Sequence, residues 1–240
     1  QGPFPRGTQA TQVLEFYDLF ISHAKTVTLF SQGINQSSSG TDKANAIINC
    51  HLVSGRIGSP GQGPFSITGQ PNAMGGREVG GMANQLAAHM DFEPAHVDRV
   101  RRFWEAPNIA TAPGLKAVEM FDALDKGEIK AIWIMGTNPA VSLPNSEKIK
   151  RALGNCPFVV VSDCIRETDT NVYADVLLPA QAWGEKNGTV TNSERCISRQ
   201  RRFVTPTKNI KADWDIVCQV ATKMGFGDAF SYPSVGEIFK

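Results

Sequence analysis

Residues 131–179 determine the expected fold, and they read AIWIMGTNPAVSLPNSEKIKRALGNCPFVVVSDCIRETDTNVYADVLLP. Three short apolar runs in this stretch are candidates for buried strands: 131–135, 158–161 and 176–178. The intervening segments 146–153 and 168–174 have helical character. Continuous apolar strands that alternate with helices are typical of a parallel sheet with both faces covered. The stretch therefore predicts an α/β fold with a Rossmann-like parallel sheet and flanking helices.

The segments before this stretch predict a second strand–loop–helix unit. Apolar spacing predicts a helix over 11–23, and Val27–Phe30 is a strand candidate. A polar loop, Ser31 to Gly40, precedes a helix that opens at Thr41 or Asp42 and ends at Gly55. Residues 55–81 are rich in glycine, which is typical of a functional loop or a domain crossing. Helical patterns follow at 79–90, 95–104 and 115–125.

The segments after Pro179 have a different character. Asn187-Gly188-Thr189 is expected to form a turn, and Thr189 to Val204 is β-like and basic. A final helix around Trp214 is expected to end near Gly225. The chain therefore combines parallel-sheet segments with a short β-rich segment near its C-terminal end.

Composition excludes several classes of function. The 240 residues are 41% hydrophobic and carry a formal net charge of +1, so no bulk positive charge favours a nucleic-acid partner. No apolar run is long enough for a membrane span. The five cysteines form no C-x2-C pair and the four histidines form no ligand group, so no metal ligands are expected. Unpatterned cysteines fit a reducing compartment, although a bacterial periplasm stays open.

The ends of the predicted strands carry the candidate binding residues. Gly136-Thr137-Asn138-Pro139 follows the first strand of the sheet, and Ser162-Asp163 follows the second. Ligands bind beyond the carboxyl ends of parallel strands, so we expect Asn138 and Asp163 on one rim. A carboxylate there can accept two hydrogen bonds, which suits the N1–H and N2–H groups of guanine. The alternative is plain turn formation by Asn-Pro and Ser-Asp.

A set of ordered sequence blocks covers nearly the whole chain: Gly33-Ile34-Asn35-Gln36 with Gly40-Thr41, 52–58 (LVSGRIG), 69–76 (GQPNAMGG), 135–139 (MGTNP), 173–179 (YADVLLP), 185–189 (EKNGT) and 192–195 (NSER). Each block alone is modest evidence, whereas their order and spacing together are specific. The chain thereby resembles the bis(molybdopterin guanine dinucleotide) molybdenum oxidoreductases, which include nitrate reductases, formate dehydrogenases and dimethyl sulfoxide reductases.

The resemblance implies roles for particular residues. Asn35, Gln36, Ser37 and Gln70 would lie near the pterin and phosphates. The guanosine diphosphate arm would be held by Gly136, Thr137, Asn138, Ser142, Ser162 and Asp163. Asp175 is a further candidate that could instead only cap its strand. Asn138 stands where some relatives carry Asp, so its contact with the nucleotide can differ from theirs.

The resemblance also indicates a subgroup. Formate dehydrogenases carry an Arg two residues before the position of Gln70, and here that residue is Thr68. The stretch 63–81 is most similar to the cytoplasmic, assimilatory nitrate reductases, which places Thr68 and Gln70 in the expected catalytic pocket. The implied reaction is reduction of nitrate to nitrite, with electrons from a donor protein or reductase subunit. The alternatives are a non-catalytic cofactor-binding scaffold, or the same family acting on formate or another oxyanion.

The resemblance further predicts the organisation of the chain. Residues 1–69 would end a molybdenum-site αβα lobe, and 70–182 would form the guanine-dinucleotide lobe. Residues 183–240 would form the β-rich segment and a helix that returns toward an iron–sulfur domain. The chain is expected to be an internal fragment, with the iron–sulfur cluster and the metal-binding residue located upstream of it.

Overall fold

The computed structural model describes residues 7–67 and 70–240. The chain divides into two compact units, Gln1–Gly69 and Gln70–Lys240. Both combine parallel strands with flanking helices, so the α/β class expected from the sequence is confirmed. The lobe functions assigned to 1–69, 70–182 and 183–240 stay predictions. In the described part of the chain, no helix is both long and apolar enough to cross a membrane.

The first unit is built around a parallel pair of strands. Its elements are α1 (Ala10–Ser22), β1 (Val27–Phe30), α2 (Gln32–Asn35), α3 (Gly40–Val53) and β2 (Gly63–Ser66). The register runs from Val27 opposite Gly63 to Phe30 opposite Ser66. The glycine-rich segment 55–81, which was expected to be a loop, therefore contains a strand, β2. A four-residue strand with a Gly and a Pro has no apolar alternation, so only its pairing with β1 reveals it.

A buried aromatic and basic cluster joins α1 to the rest of the first unit. The His51 ring is fully buried, its Nε2 lies 2.8 Å from Thr28 Oγ1, and it packs edge-on against Phe20. The buried Arg56 guanidinium lies 5.3 Å from the centre of the Phe20 ring. One of its nitrogens donates to the carbonyls of Ile21 and His23, at 2.7 and 2.9 Å. Arg56 thus satisfies carbonyls that the C-terminal end of α1 leaves open.

We expect Arg56→Met to loosen α1 selectively. Methionine keeps an apolar stem but donates no hydrogen bond, so two carbonyls lose a charged partner at a cost of about 2 kcal/mol. Hydrogen exchange of the α1 amides in the full-length protein should become about 30-fold faster. The exposed Lys43, on α3, provides the control Lys43→Met, which should leave that exchange unchanged. Equal exchange in both variants would show that Arg56 does not hold α1.

The second unit contains a three-stranded parallel sheet and its helices. Its α-helices and strands are α4 (Ala73–Glu78), α5 (Pro94–Phe103), α6 (Ala117–Asp125), β3 (Ile132–Met135), α7 (Pro139–Ser142), α8 (Ser146–Asn155), β4 (Val159–Asp163), β5 (Val176–Pro179), β6 (Gly188–Thr191), β7 (Ile197–Gln200), α9 (Asp213–Ala221) and α10 (Val235–Phe239). Short 3₁₀ turns occur at Ala87–His89, Asn171–Tyr173, Trp183–Glu185 and Asp228–Phe230, and a π turn follows α9 at Thr222–Phe226. The sheet order is β3-β4-β5 and all pairs are parallel.

The core of the second unit lies between one face of this sheet and the helices α6 and α8. Its buried residues are Phe121, Leu124, Ile132, Ile134, Ile149, Ala152, Leu153, Val159 and Val161. Trp133 and Val160, which point to the other face, are only half-buried. Full cover on both faces is therefore not seen in the described residues, although the apolar runs predicted it.

A charged pair on the surface joins α6 to α8. The Arg151 guanidinium donates to both carboxylate oxygens of Asp125, at 3.0 and 2.8 Å. This hydrogen bond lowers the pKa of the Asp125 carboxyl. Lys148 makes a second ion pair with Asp122 between the same helices. Such surface pairs add little stability, so packing of the apolar faces holds the two helices together.

The expected helix over 79–90 does not form. Helix α4 ends at Glu78, and Gly80 follows with a φ of +80°, a conformation that interrupts a helix. A Cβ built on Gly80 would lie 2.6 Å from the Ala87 nitrogen, so the chain packs directly against this glycine. The apolar spacing at Val79, Met82 and Leu86 therefore forms no buried helical face: Leu86 is buried, whereas Val79 and Met82 are exposed.

Three other boundaries differ from expectation. Gly188 begins β6, so no turn forms at 187–189, and the hairpin turn lies at 192–195. There Asn192 Oδ1 accepts from the Glu194 and Cys196 N–H groups. Helix α8 continues through Gly154 to Asn155, and the expected helix 168–174 is only a short 3₁₀ turn. Local turn chemistry predicted both Gly188 and Gly154 as breaks, but strand pairing and helix packing override it.

Candidate functional site

The carboxyl edge of the β3-β4-β5 sheet brings together polar groups from two loops. Met135 lies opposite Ser162, and Asp163 lies opposite Pro179. The Gly136 N–H donates to the Ser162 carbonyl at 2.9 Å, which extends the ladder just past the end of β3. Gly136, Thr137 and Asn138 therefore leave β3 at the edge where Asp163 ends β4. Ligands of open parallel sheets bind at this edge.

Gly136 allows the chain to turn sharply at this edge. Its φ is +59°, which residues with a Cβ rarely adopt. Gly136 and Thr137 are exposed, and apart from Met135 and Thr137 no described residue comes within 4 Å of a Cβ built on Gly136. The turn therefore leaves open space in front of the backbone.

Asn138 is held by a residue that sequence reasoning missed. The Thr170 hydroxyl donates to Asn138 Oδ1 at 2.6 Å and accepts from the Ala140 N–H at 3.1 Å. Thr170 is fully buried, whereas Asn138 is half-buried. Because Thr170 lies in the loop after β4, this bond ties the two loops of the edge to each other. Nothing in the local sequence distinguishes Thr170 from an ordinary helix-start residue.

Asp163 is half-buried at the end of β4. Its Oδ1 accepts from the Ile165 N–H at 3.0 Å, which shapes the following turn. Among residues 7–67 and 70–240, Oδ2 has no hydrogen-bond partner. Asn138 and Asp163 therefore each keep one side-chain atom for a ligand: an amide nitrogen and a carboxylate oxygen.

Ser162 and Ser142 occupy different positions in this region. Ser162 is fully buried, and its hydroxyl accepts from Trp133 Nε1 at 2.8 Å. Its side chain therefore supports the sheet rather than facing solvent. Ser142 is exposed at the last position of α7, close in sequence to Asn138. Of the two predicted serines, only Ser142 has an accessible hydroxyl.

The structure separates Asp175 from this edge. Its carboxylate accepts from the Val159 N–H at 2.7 Å, and its own N–H donates to the Val159 carbonyl. Val159 begins β4 and Asp175 directly precedes β5, so both lie at the amino ends of their strands. Asp175 therefore lies at the opposite end of the strands from Asn138 and Asp163, and its contact with the cofactor stays a prediction. The alternative role of strand capping fits the observed contact.

The first unit has its own polar segment after β1. Asn35 Nδ2 donates to Ser66 Oγ at 3.3 Å, which joins this segment to the end of β2. Gln36 is exposed, and the buried Ser37 Oγ has no partner among the described residues. A Cβ on Gly40 would lie 2.5 Å from the Asn35 carbonyl oxygen, so only glycine allows this close approach. The loop therefore holds an unpartnered hydroxyl at the carboxyl end of a parallel strand pair.

Of the two candidate catalytic residues, Thr68 and Gln70, the structure describes only Gln70. Thr68 lies outside the described residues. Gln70 is exposed, and its carbonyl accepts weakly from the Ala73 N–H at the start of α4. Within residues 7–67 and 70–240, no group of three or more His, Cys, Asp or Glu side chains is placed to hold a metal ion.

Taken together, the three-stranded parallel sheet and its flanking helices define the second unit as an open α/β domain, and proteins of this class bind ligands at the carboxyl edge of the sheet. A family model for molybdopterin oxidoreductases matches residues 14–223. The chain belongs to the molybdopterin oxidoreductase family, which implies a molybdopterin cofactor.

Individual relatives show which members of the family the chain is most similar to among those compared. The chain is 56% identical to a nitrate reductase of Klebsiella oxytoca and 59% identical to one of Shewanella frigidimarina, over 97% of its length in both cases. It is 33% identical to an F420-dependent formate dehydrogenase subunit alpha of Methanocaldococcus jannaschii, also over 97%. It spans only 27%, 25% and 34% of these relatives, respectively. The chain is thus more similar to the nitrate reductases than to the formate dehydrogenase.

Proposed function

We propose that the second unit holds one guanosine diphosphate arm of molybdenum bis(molybdopterin guanine dinucleotide). The observation that carries this proposal is the pair Asn138 and Asp163, which keep a free donor and a free acceptor at one sheet edge. A carboxylate oxygen has two lone pairs, so Oδ1 can accept a second bond beside that from Ile165. Asp163 can therefore accept from both N1–H and N2–H of guanine. Gly136, Thr137 and Ser142 are exposed in the segment that follows β3, and we propose that they contact the same arm.

We propose that Asn35, Gln36, Ser37 and Gln70 contact the pterin and phosphate groups of the cofactor. The unpartnered Ser37 Oγ supports this role, because a buried hydroxyl without a partner is costly unless a ligand satisfies it. Gln36 and Gln70 add exposed amide groups that can donate to phosphate oxygens. Thr68 stays a predicted residue of the catalytic pocket, where its neutral side chain replaces the Arg of formate dehydrogenases.

We propose that the whole protein reduces nitrate to nitrite and water. When bound, the molybdenum cofactor supplies the two-electron oxygen-atom transfer. The residues of this chain hold and orient that cofactor, which is the usual share of a protein in cofactor chemistry. An iron–sulfur cluster outside this chain would deliver electrons from a donor protein, and the cytoplasm is the proposed location. The high identity to proteins named nitrate reductase supports this proposal.

The full-length protein tests the proposal directly. We expect purified protein to contain molybdenum, to release guanosine monophosphate on acid hydrolysis, and to reduce nitrate with a reduced viologen as artificial donor. Turnover of formate without nitrate reduction would favour the alternative substrate. Cofactor without any turnover would favour the non-catalytic scaffold. Protein that carries molybdopterin but releases no guanine nucleotide would falsify the guanosine assignment.

A further inference from the structure

The hydrogen bonds of Thr170 require its hydroxyl to act as a donor toward Asn138. The hydroxyl accepts from the Ala140 N–H at 3.1 Å, and this backbone donor cannot change its direction. A threonine hydroxyl carries a single proton. That proton goes to Asn138 Oδ1 at 2.6 Å. Because Thr170 is fully buried, water does not replace either partner.

This arrangement selects one orientation of the Asn138 amide. If the amide were flipped, its NH₂ group would face the Thr170 oxygen and the hydroxyl proton would lose its acceptor. An unsatisfied buried donor costs more than the modest net gain of an ordinary hydrogen bond. The carbonyl oxygen of the amide therefore faces Thr170, and the NH₂ group faces the open edge of the sheet.

We infer that Thr170 is a positioning residue that makes residue 138 a hydrogen-bond donor toward the nucleotide. The group that meets Asn138 must then be an acceptor oxygen: guanine O6, or an oxygen of the ribose or the diphosphate. This inference rests on the proposed guanosine site and specifies the polarity of one of its contacts. Asp163 offers the opposite polarity from the neighbouring loop.

The two polarities together match guanine better than adenine. Guanine presents an acceptor, O6, beside two donors, N1–H and N2–H. Adenine presents one donor and one acceptor on the corresponding edge, so it cannot supply two donors to a carboxylate. With the same Thr170, an Asp at position 138 would turn an acceptor and a negative charge outward. The residue pair 138 and 170, rather than residue 138 alone, therefore sets the contact.

A double-mutant cycle on the full-length protein, purified without cofactor, tests the inference. The affinity for GDP is measured by titration calorimetry in the wild type, T170V, N138A and the double variant. We expect T170V to weaken GDP binding about tenfold when Asn138 is present and to have no further effect in N138A. T170S keeps the hydroxyl and is expected to bind GDP within about twofold of the wild type. An equal loss from T170V in both backgrounds would mean that Thr170 acts only on the fold and would overturn the inference.

A second variant covers the case in which T170V does not fold. N138D keeps the shape of the side chain but presents an acceptor oxygen, so we expect GDP binding at least about tenfold weaker. Wild-type affinity in N138D would contradict the donor role. Titration with guanosine separates the nucleoside from the diphosphate: T170V should weaken guanosine binding if the acceptor lies on the base or ribose, and should leave it unchanged if the acceptor lies on the diphosphate. Wild-type protein that neither binds GDP nor releases guanine nucleotide would instead contradict the proposed function.

Discussion

Asp163→Asn is expected to lower the affinity of the full-length protein for guanosine nucleotides about 100-fold. Asparagine can keep one oxygen for the Ile165 N–H, which Asp163 Oδ1 accepts at 3.0 Å. Its NH₂ group would then face the N1–H and N2–H donors of guanine. The site would lose charge-assisted hydrogen bonds and place donors against donors. The GDP affinity of cofactor-free protein and the guanine nucleotide retained by purified protein both measure this effect.

The matched control for this substitution is Asp169→Asn. Asp169 is exposed in the loop that follows β4, so the same change of charge occurs nearby without a proposed nucleotide contact. We expect GDP affinity within about twofold of the wild type in this control, since an exposed charge without a direct contact to the nucleotide is screened by water and salt. If both variants lost affinity equally, net charge rather than a contact with guanine would explain the result. If neither lost affinity, Asp163 would not contact the base.

The largest expected loss of stability follows from Leu124→Ala. Leu124 is 1% exposed and packs in the cluster between α6, α8 and the sheet. Removing three carbons from such a site leaves a cavity and costs about 2 to 5 kcal/mol. Because β4 lies at the centre of this sheet, its amides should exchange at least about 30-fold faster with solvent. Hydrogen exchange measured by mass spectrometry on the full-length protein reports this change locally.

Leu115→Ala provides the comparison for the core substitution. Leu115 is 50% exposed and precedes α6, so the same atoms are removed from a surface position. The expected cost stays within about 0.5 kcal/mol. If the β4 amides exchanged as slowly in Leu124→Ala as in Leu115→Ala, this cluster would not control the stability of the sheet.

The main sheet was predictable because its strands are short, apolar and separated by helical segments. Continuous apolar runs at 132–135 and 159–161 leave few alternatives to buried parallel strands. β2 was not predictable, because Gly63 and Pro64 carry no strand pattern and the segment exists only as a partner of β1. The helix expected over 79–90 is absent for a similar reason. Its apolar residues have helical spacing, but Gly80 takes a positive φ and packs against Ala87, which interrupts the helix.

The residues of the candidate site likewise include some that the sequence predicted and one that it could not. The sequence placed Asn138 and Asp163 after neighbouring strands, and the register of β3 and β4 brings both loops to one edge. Thr170 could not be found from sequence, because its contact with Asn138 spans 32 positions and depends on how the loop after β4 folds back. Asp175 directly precedes the predicted strand 176–178, so the sequence already places it at the amino end of that strand, and the structure shows its carboxylate bound to the Val159 N–H.

The sequence by itself determined the α/β class, the three strands of the main sheet and the family, because apolar periodicity and the order of the sequence blocks can be read along the chain without its tertiary contacts. Only the tertiary structure decided which polar atoms stay open at the sheet edge. Hydrogen bonds between distant residues consume some groups, such as the Ser162 hydroxyl and the Asp175 carboxylate, and leave others free. The direction of the Asn138 amide is the clearest case, because a single buried proton on Thr170 sets it.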